Sequence, residues 1–296
     1  MTVLLLGISL VAALGSNVVK KLYTGREKSL FGNFLYAAVG GLVSATVLLI
    51  WGGFGEASLF TVLLGTLFGA IISLQSVVLL AALNHGPMAY TTVIVSFSTL
   101  ITALSGALFF GESLSPSKIV GIVLMLASFT MANGSGGNGG KRASVRWLLL
   151  CIVSFLSTGA IGIMQKVHQT SVYHAELNAF LILAFAVSTL LSGVIAAVLY
   201  LRSAKKTSES VSVSKGARLI LPALMVISGI CTGANHKLNL YLSGVIDSAI
   251  FFPVVNGGGL VLTTLAALVV FRERLSVGQW IGIGLGIASV VCLCVG

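Results

Sequence analysis

Apolar residues run through this chain in stretches of about 17–25 residues, the length a helix needs to cross a hydrocarbon core about 30 Å thick. Ten such runs lie near 2–19, 31–51, 58–83, 87–110, 116–133, 147–165, 176–200, 218–242, 247–270 and 277–295. Chain-breaking residues separate them: Trp51-Gly52-Gly53, Asn84-His85-Gly86-Pro87, the stretch from Gly111 to Pro116, and the glycine-rich segment 133–140. With Lys141, Arg142 and Arg146, that last segment reads as a flexible joint. A second polar loop, rich in Ser and Lys, runs from Arg202 to Lys215. The pattern predicts an all-α polytopic membrane protein of ten transmembrane helices.

The last third of the chain rewrites an earlier part, 161 positions on and without a gap. Glu112-Ser113-Leu114-Ser115, Gly121-Ile122, Leu124 and Ala127-Ser128 return as Glu273-Arg274-Leu275-Ser276, Gly282-Ile283, Leu285 and Ala288-Ser289. Residues 1–133 and 147–296 therefore read as two five-helix repeats joined by a linker over 134–146. A duplicated unit with an odd number of spans places its copies upside down to each other, an architecture of secondary transporters.

Composition and charge sharpen the picture. The chain is 57% hydrophobic, carries 8% charged residues and has a mean hydropathy of +1.08. A soluble domain has too little interior to hide that much apolar surface. The formal net charge of +10 does not point to nucleic acid, because fourteen of the seventeen Lys and Arg fall in the odd-numbered connections between spans. Lys118, Lys166 and Lys237 are the remainder. Such a bias places odd loops in the cytoplasm and both termini outside. It also supports inversion. The loop between spans 1 and 2 has four basic residues where its counterpart has Lys166, while the loop between spans 2 and 3 has none where its counterpart has five. No basic segment precedes the first span, so it is expected to remain in the chain rather than serve as a cleaved signal. Cys151, Cys231, Cys292 and Cys294 lie in apolar runs and read as free thiols.

Gly111-Glu112-Ser113-Leu114-Ser115 with Gly121, and Phe271-Arg272-Glu273-Arg274-Leu275-Ser276 with Gly282, carry a family resemblance. A Glu after the fourth helix of each half, a polar turn and a Gly in the fifth helix resemble the ten-span EamA-type branch of the drug/metabolite transporter superfamily. The resemblance covers essentially the whole chain, most clearly 75–131 and 236–295. It implies an integral protein of a bacterial inner or cell membrane. It also implies a secondary carrier of a small polar solute, with a cavity between the halves.

Several polar residues are candidates for that cavity. Asn256 lies about 14 Å inside from Asp247 along span 9 at 1.5 Å per residue. Pro253 and Gly257-Gly258-Gly259 there are expected to interrupt the helix. The aligned first-half positions include Ser96 and Ser98. Close helix packing explains the same small residues equally well. In the third span of each half, Gln75 aligns with His236, which Asn235 and Lys237 flank. Polar groups at such depth face protein or water rather than lipid. Lys237 suits a carboxylate or phosphate and His236 a proton near neutral pH; the plainer alternatives are a snorkelling lysine and an interhelical hydrogen bond. Three consecutive residues cannot all face one cavity, and His236 is favoured among them. Asn17 at the end of span 1 and Tyr90 near the start of span 4 complete the set, whereas Lys20, Lys21, Gln165 and Lys166 read as interfacial anchors. Asp247 reads as a cap of span 9, and Glu112 and Glu273 as organisers of their loops.

No Walker-type phosphate loop, metal-ligand cluster or nucleophile–base set is legible, so neither an ATP-driven pump nor an enzyme is indicated, and no cofactor is expected. The small multidrug members of the superfamily carry a carboxylate in their first helix. Span 1 here has none, which favours a neutral, zwitterionic or anionic metabolite such as an amino acid, exported, over a cationic drug. Cationic efflux stays the alternative, and a membrane-embedded enzyme is the more distant one. The expected partners are the solute, membrane lipid and a coupling proton or ion. Gly282, Gly284 and Gly286 include a small-xxx-small spacing that suits either another span or a second copy in a homodimer. The charge bias makes one direct prediction. A reporter fused after Gly296 is scored as non-cytoplasmic by reagent accessibility, and a cytoplasmic score reverses the orientation.

Overall fold

The computed structural model describes residues 2–27, 29–85, 91, 94–95, 97–113, 115–134, 145–204, 215–270 and 277–295. Among them are ten α-helices of twelve residues or more: α1 Thr2–Thr24, α2 Leu30–Gly52, α3 Leu59–His85, α4 Ser98–Phe109, α5 Pro116–Gly134, α6 Val145–Thr170, α7 Leu177–Ala204, α8 Lys215–Val245, α9 Ser248–Val270 and α10 Val277–Val295. The fold class is the expected one, and each predicted span corresponds to one helix. Five of the helices, α1, α2, α3, α6 and α7, are long and apolar enough among the described residues to cross a membrane. The joint over 134–146 lies mostly outside the described residues.

Local chemistry sets the boundaries. Ser29 caps α2, its Oγ accepting from the Gly32 N–H at 2.9 Å. The helix stops at Gly53, whose φ of +68° suits a residue without a Cβ, and whose N–H returns to the Leu49 carbonyl. One expectation fails. α9 is helical from Ser248 through Val270, with Pro253 and the three glycines inside it. Packing overrides their low helix propensity: Gly257 is closely approached by Met125, and Gly258 by Leu10.

By contact density the chain divides into two compact units. The first comprises Met1–Leu10, Val78–Ser171 and Asn239–Gly296, and the second Val11–Val77 and Val172–Leu238. Each draws helices from both sequence repeats.

In the first unit, α5 packs on α10 and α4 on α9, each helix against its own repeat counterpart. Ser128 Oγ donates to the Gly282 carbonyl at 2.6 Å, and Ser289 Oγ donates to the Gly121 carbonyl at 2.6 Å. Ser128 and Ser289 are equivalent in the repeat, as are Gly121 and Gly282, so the bonds are reciprocal. The late residue of each helix meets the early residue of the other, hence α5 and α10 run antiparallel. Thr99 against Asn256 and Gly106 against Ser248 give the same sense for α4 and α9. Antiparallel counterparts are what inverted copies require. Leu242, Phe251, Phe252 and Val255 form an apolar core in this unit, and Ala103, Ile122 and Val254 form another.

In the second unit, α2 packs on α7, again antiparallel: the Phe31 ring lies tilted against Tyr200, centroids 5.9 Å apart, Gly41 abuts Thr189, and Asn178 Nδ2 donates to the Gly52 carbonyl at 3.0 Å. Gly65 and Gly69 of α3 lie against the Phe180 and Ala184 carbonyls of α7, while Gly229 and Gly233 of α8 lie against Gly40 and Ser44 of α2. These glycines stand in the same packing role 164 residues apart, not 161. The gapless register that pairs Gln75 with His236 therefore slips by about one turn in the third helices.

Close glycine contacts give a stability prediction. A methyl group at Gly69 strikes the Ala184 carbonyl, whereas one at Gly284 meets nothing within 4 Å. Gly69→Ala is expected to destabilise by about 1–3 kcal/mol, read as a lower thermal midpoint in detergent. Gly284→Ala is expected to leave it unchanged or raise it slightly, since alanine is the better helix former by about 1 kcal/mol.

Candidate solute-binding residues

The second unit gathers most of the candidates. α1 and α8 run antiparallel within it: Ser16 Oγ lies 3.1 Å from Thr232 Oγ1, and farther along α1 Val19 and Tyr23 join Leu224 and Met225 in one apolar cluster. His236 follows Thr232 by one helical turn. Its ring stands edge-on to two phenylalanines, with centroids 5.4 Å from Phe185 and 6.2 Å from Phe68, both at 84°. Its Nδ1 is buried and has no hydrogen-bond partner. The Lys20 ammonium is within electrostatic reach of that ring. Lys20 is half-buried and follows Ser16 by one helical turn on the same face of α1.

The remaining candidates divide. Gln75 and Asn235 are half-buried and Asn17 is exposed. Lys237 Nζ sits over the Trp51 ring at 4.4 Å, a cation–π contact rather than a free snorkel. In the first unit, Asn256 Nδ2 donates to Thr99 Oγ1 at 2.9 Å. That bond joins counterpart helices α9 and α4. It fits a packing role as well as a lining one. Ser96 and Tyr90 lie outside the described residues, and Ser98 is buried at the start of α4. The residue aligned with Tyr90, Phe251, is buried against Phe252, with ring centroids 4.9 Å apart.

Charged residues that sequence reasoning assigned to loops and interfaces form a network in the first unit. Lys166 Nζ lies 2.6 Å from Glu112 Oε1, and both side chains are 8% exposed. This corrects the reading of Lys166 as an interfacial anchor: the lysine turns inward because a carboxylate from the other repeat meets it there. Glu112 also accepts from the Ser248 N–H at 2.6 Å and from Ser248 Oγ at 3.1 Å, so it caps α9 across the repeat boundary. Asp247, expected as that cap, instead pairs through its carboxylate with Lys118 Nζ at 2.9 Å. Its backbone carbonyl does open the helix, accepting from Ile250 and Phe251.

Known proteins bear on what these residues belong to. The model of the EamA-like transporter family matches residues 1–134. An uncharacterized membrane protein of Bacillus subtilis (strain 168), YvaE, is 37% identical over 84 residues, which are 28% of this chain and 69% of that one. The chain belongs to the EamA-like transporter family. That family lies in the drug/metabolite transporter superfamily and consists of membrane transporters, not enzymes. An uncharacterized protein of Haemophilus influenzae (strain ATCC 51907 / DSM 11121 / KW20 / Rd) is 25% identical over 202 residues, covering 66% of this chain and 62% of the relative. The match thus spans less than two thirds of that relative's length. A solved crystal structure superposes with a TM-score of 0.71 at 16% identity, covering 98% of this chain and 95% of the other, a likeness of fold.

For this EamA-family chain, the network makes an asymmetric prediction. Glu112→Gln leaves Lys166 buried without its counter-charge and is expected to destabilise by about 3–5 kcal/mol. Adding Lys166→Met should recover much of that loss. Asp247→Asn, at a side chain 48% exposed, should cost at most about 1 kcal/mol. Thermal unfolding of the three variants and the wild type in one detergent checks the order.

Proposed function

We propose that this protein is a secondary carrier that exports a small polar metabolite, an amino acid or a similar zwitterion or anion, by alternating access. One observation carries the reading. The helices of the second unit hold Lys20, His236 and Lys237, with the amides of Asn17, Gln75 and Asn235, in spans that contain no Asp or Glu. Basic side chains placed in membrane spans that hold no carboxylate are expensive and mark solute or ion pathways. Family membership and the antiparallel counterpart helices support the same reading. The chain carries no nucleotide-binding loop in its sequence, so a solute gradient or a coupling proton or ion supplies the energy. Those spans offer a cationic drug no carboxylate to bind. The proposed orientation keeps the odd-numbered loops cytoplasmic and both termini outside.

Counterflow of labelled amino acids and small organic acids into preloaded proteoliposomes tests the function. Wild-type protein should exchange at least one of them. His236→Ala should slow its initial rate about tenfold or more, the scale of one lost hydrogen bond to a charged group. Asn256→Ala separates lining from packing: a changed KM for the solute at unchanged thermal stability supports lining. A protein that exchanges none of these solutes, but does exchange a quaternary ammonium, overturns the substrate class.

A further inference from the structure

The charges of the first unit that are described above meet partners, whereas Lys20 does not. Among the described residues no carboxylate and no hydrogen-bond acceptor pairs with its ammonium, and none of the α-helices of its unit contains a carboxylate; Glu176, in a short 3-10 turn of the unit, accepts instead from Ser58. His236 lies within electrostatic reach of that ammonium. An ammonium in a membrane interior without a counter-charge is costly unless something that comes and goes supplies one.

The geometry of the helices directs both side chains to one place. Helical side chains lean toward the N-terminus of their own helix. α1 and α8 are antiparallel here, so Lys20 leans back toward the level of Ser16, and His236 leans back toward the level of Thr232. Ser16 and Thr232 are themselves in contact at 3.1 Å. Phe68 and Phe185 fix the imidazole plane from two sides. An N–H walled in without an acceptor costs more than a bare ring nitrogen, so the buried Nδ1 is the unprotonated one and Nε2 carries the hydrogen.

We propose that Lys20 and His236 form an oxyanion site, with the hydroxyls of Ser16 and Thr232 at its floor, which takes the carboxylate of the transported solute. This rests on the carrier reading above and narrows it. A carboxylate only accepts hydrogen bonds and carries one negative charge. One ammonium and one neutral imidazole N–H match it in charge and in donors. A doubly charged phosphate would keep one charge uncompensated there.

Isothermal titration of the full-length protein in nanodiscs of neutral lipid tests the site with four probes: lactate, L-alanine, lactamide and inorganic phosphate. Lactate or L-alanine should bind, and lactamide, which lacks the charge, should not. Lys20→Met should weaken the carboxylate about tenfold or more while raising the thermal midpoint of the empty protein, since it removes an unpaired charge; that second readout shows that the variant folds. His236→Gln, which keeps an N–H near the Nε2 position, should bind better than His236→Ala. The site is overturned if lactamide binds as well as lactate, if phosphate alone binds, if Lys20→Met binds as wild type does, or if neither carboxylate binds at millimolar concentration. Counterflow separates this from the function itself. Exchange of an uncharged solute that persists in Lys20→Met retains the carrier and removes the site, whereas carboxylate binding without any counterflow retains the site and removes the carrier.

Discussion

Hydrocarbon offers a polar atom nothing to bond with, and every serine, amide and ammonium in these helices has to find its partner within the protein or in what the protein binds. The reciprocal bonds of Ser128 to Gly282 and Ser289 to Gly121 show how the repeat answers that constraint. Each copy of the fifth helix presents a serine hydroxyl and a bare carbonyl, and running the copies antiparallel matches each donor with the other's acceptor. Ser44 bonding the Gly229 carbonyl across α2 and α8 follows the same rule. In each case a glycine exposes the backbone oxygen at close range. Close helix contacts in both units are thus made by small residues, beside the apolar cores.

Charge is handled in two ways along one chain. Glu112 with Lys166, and Asp247 with Lys118, are closed pairs, and Glu112 at the same time satisfies the first N–H of α9. The buried pair, Glu112 with Lys166, contributes little net stability but is severely missed when one member is lost. Among the described residues Lys20 receives no such carboxylate, and the proposed oxyanion site rests on that difference.

Much of this was legible beforehand, for physical reasons. Span length follows from bilayer thickness, so ten apolar runs became ten helices. Gly121, Ser128, Gly282 and Ser289 were legible as identical positions of the repeat, and they carry the atoms that bond. What one sequence does not display is which distant loop meets which helix end. Lys166 looked interfacial because its partner is 54 residues earlier. The break expected at Pro253 depended on local propensity, which the packing of Gly257 and Gly258 overrides. The extra turn between the third helices was hidden because a gapless alignment of apolar residues tolerates such a slip.

The spacing of the serine tethers has a mechanical consequence. Gly121 and Ser128 are seven residues apart, about 10 Å along the helix, so α5 and α10 are pinned at both ends of their crossing and cannot scissor without breaking a bond. Between α4 and α9, the Asn256–Thr99 bond is joined by those of Glu112, just beyond the end of α4, to Ser248 at the start of α9, so this counterpart pair too is tied at two levels.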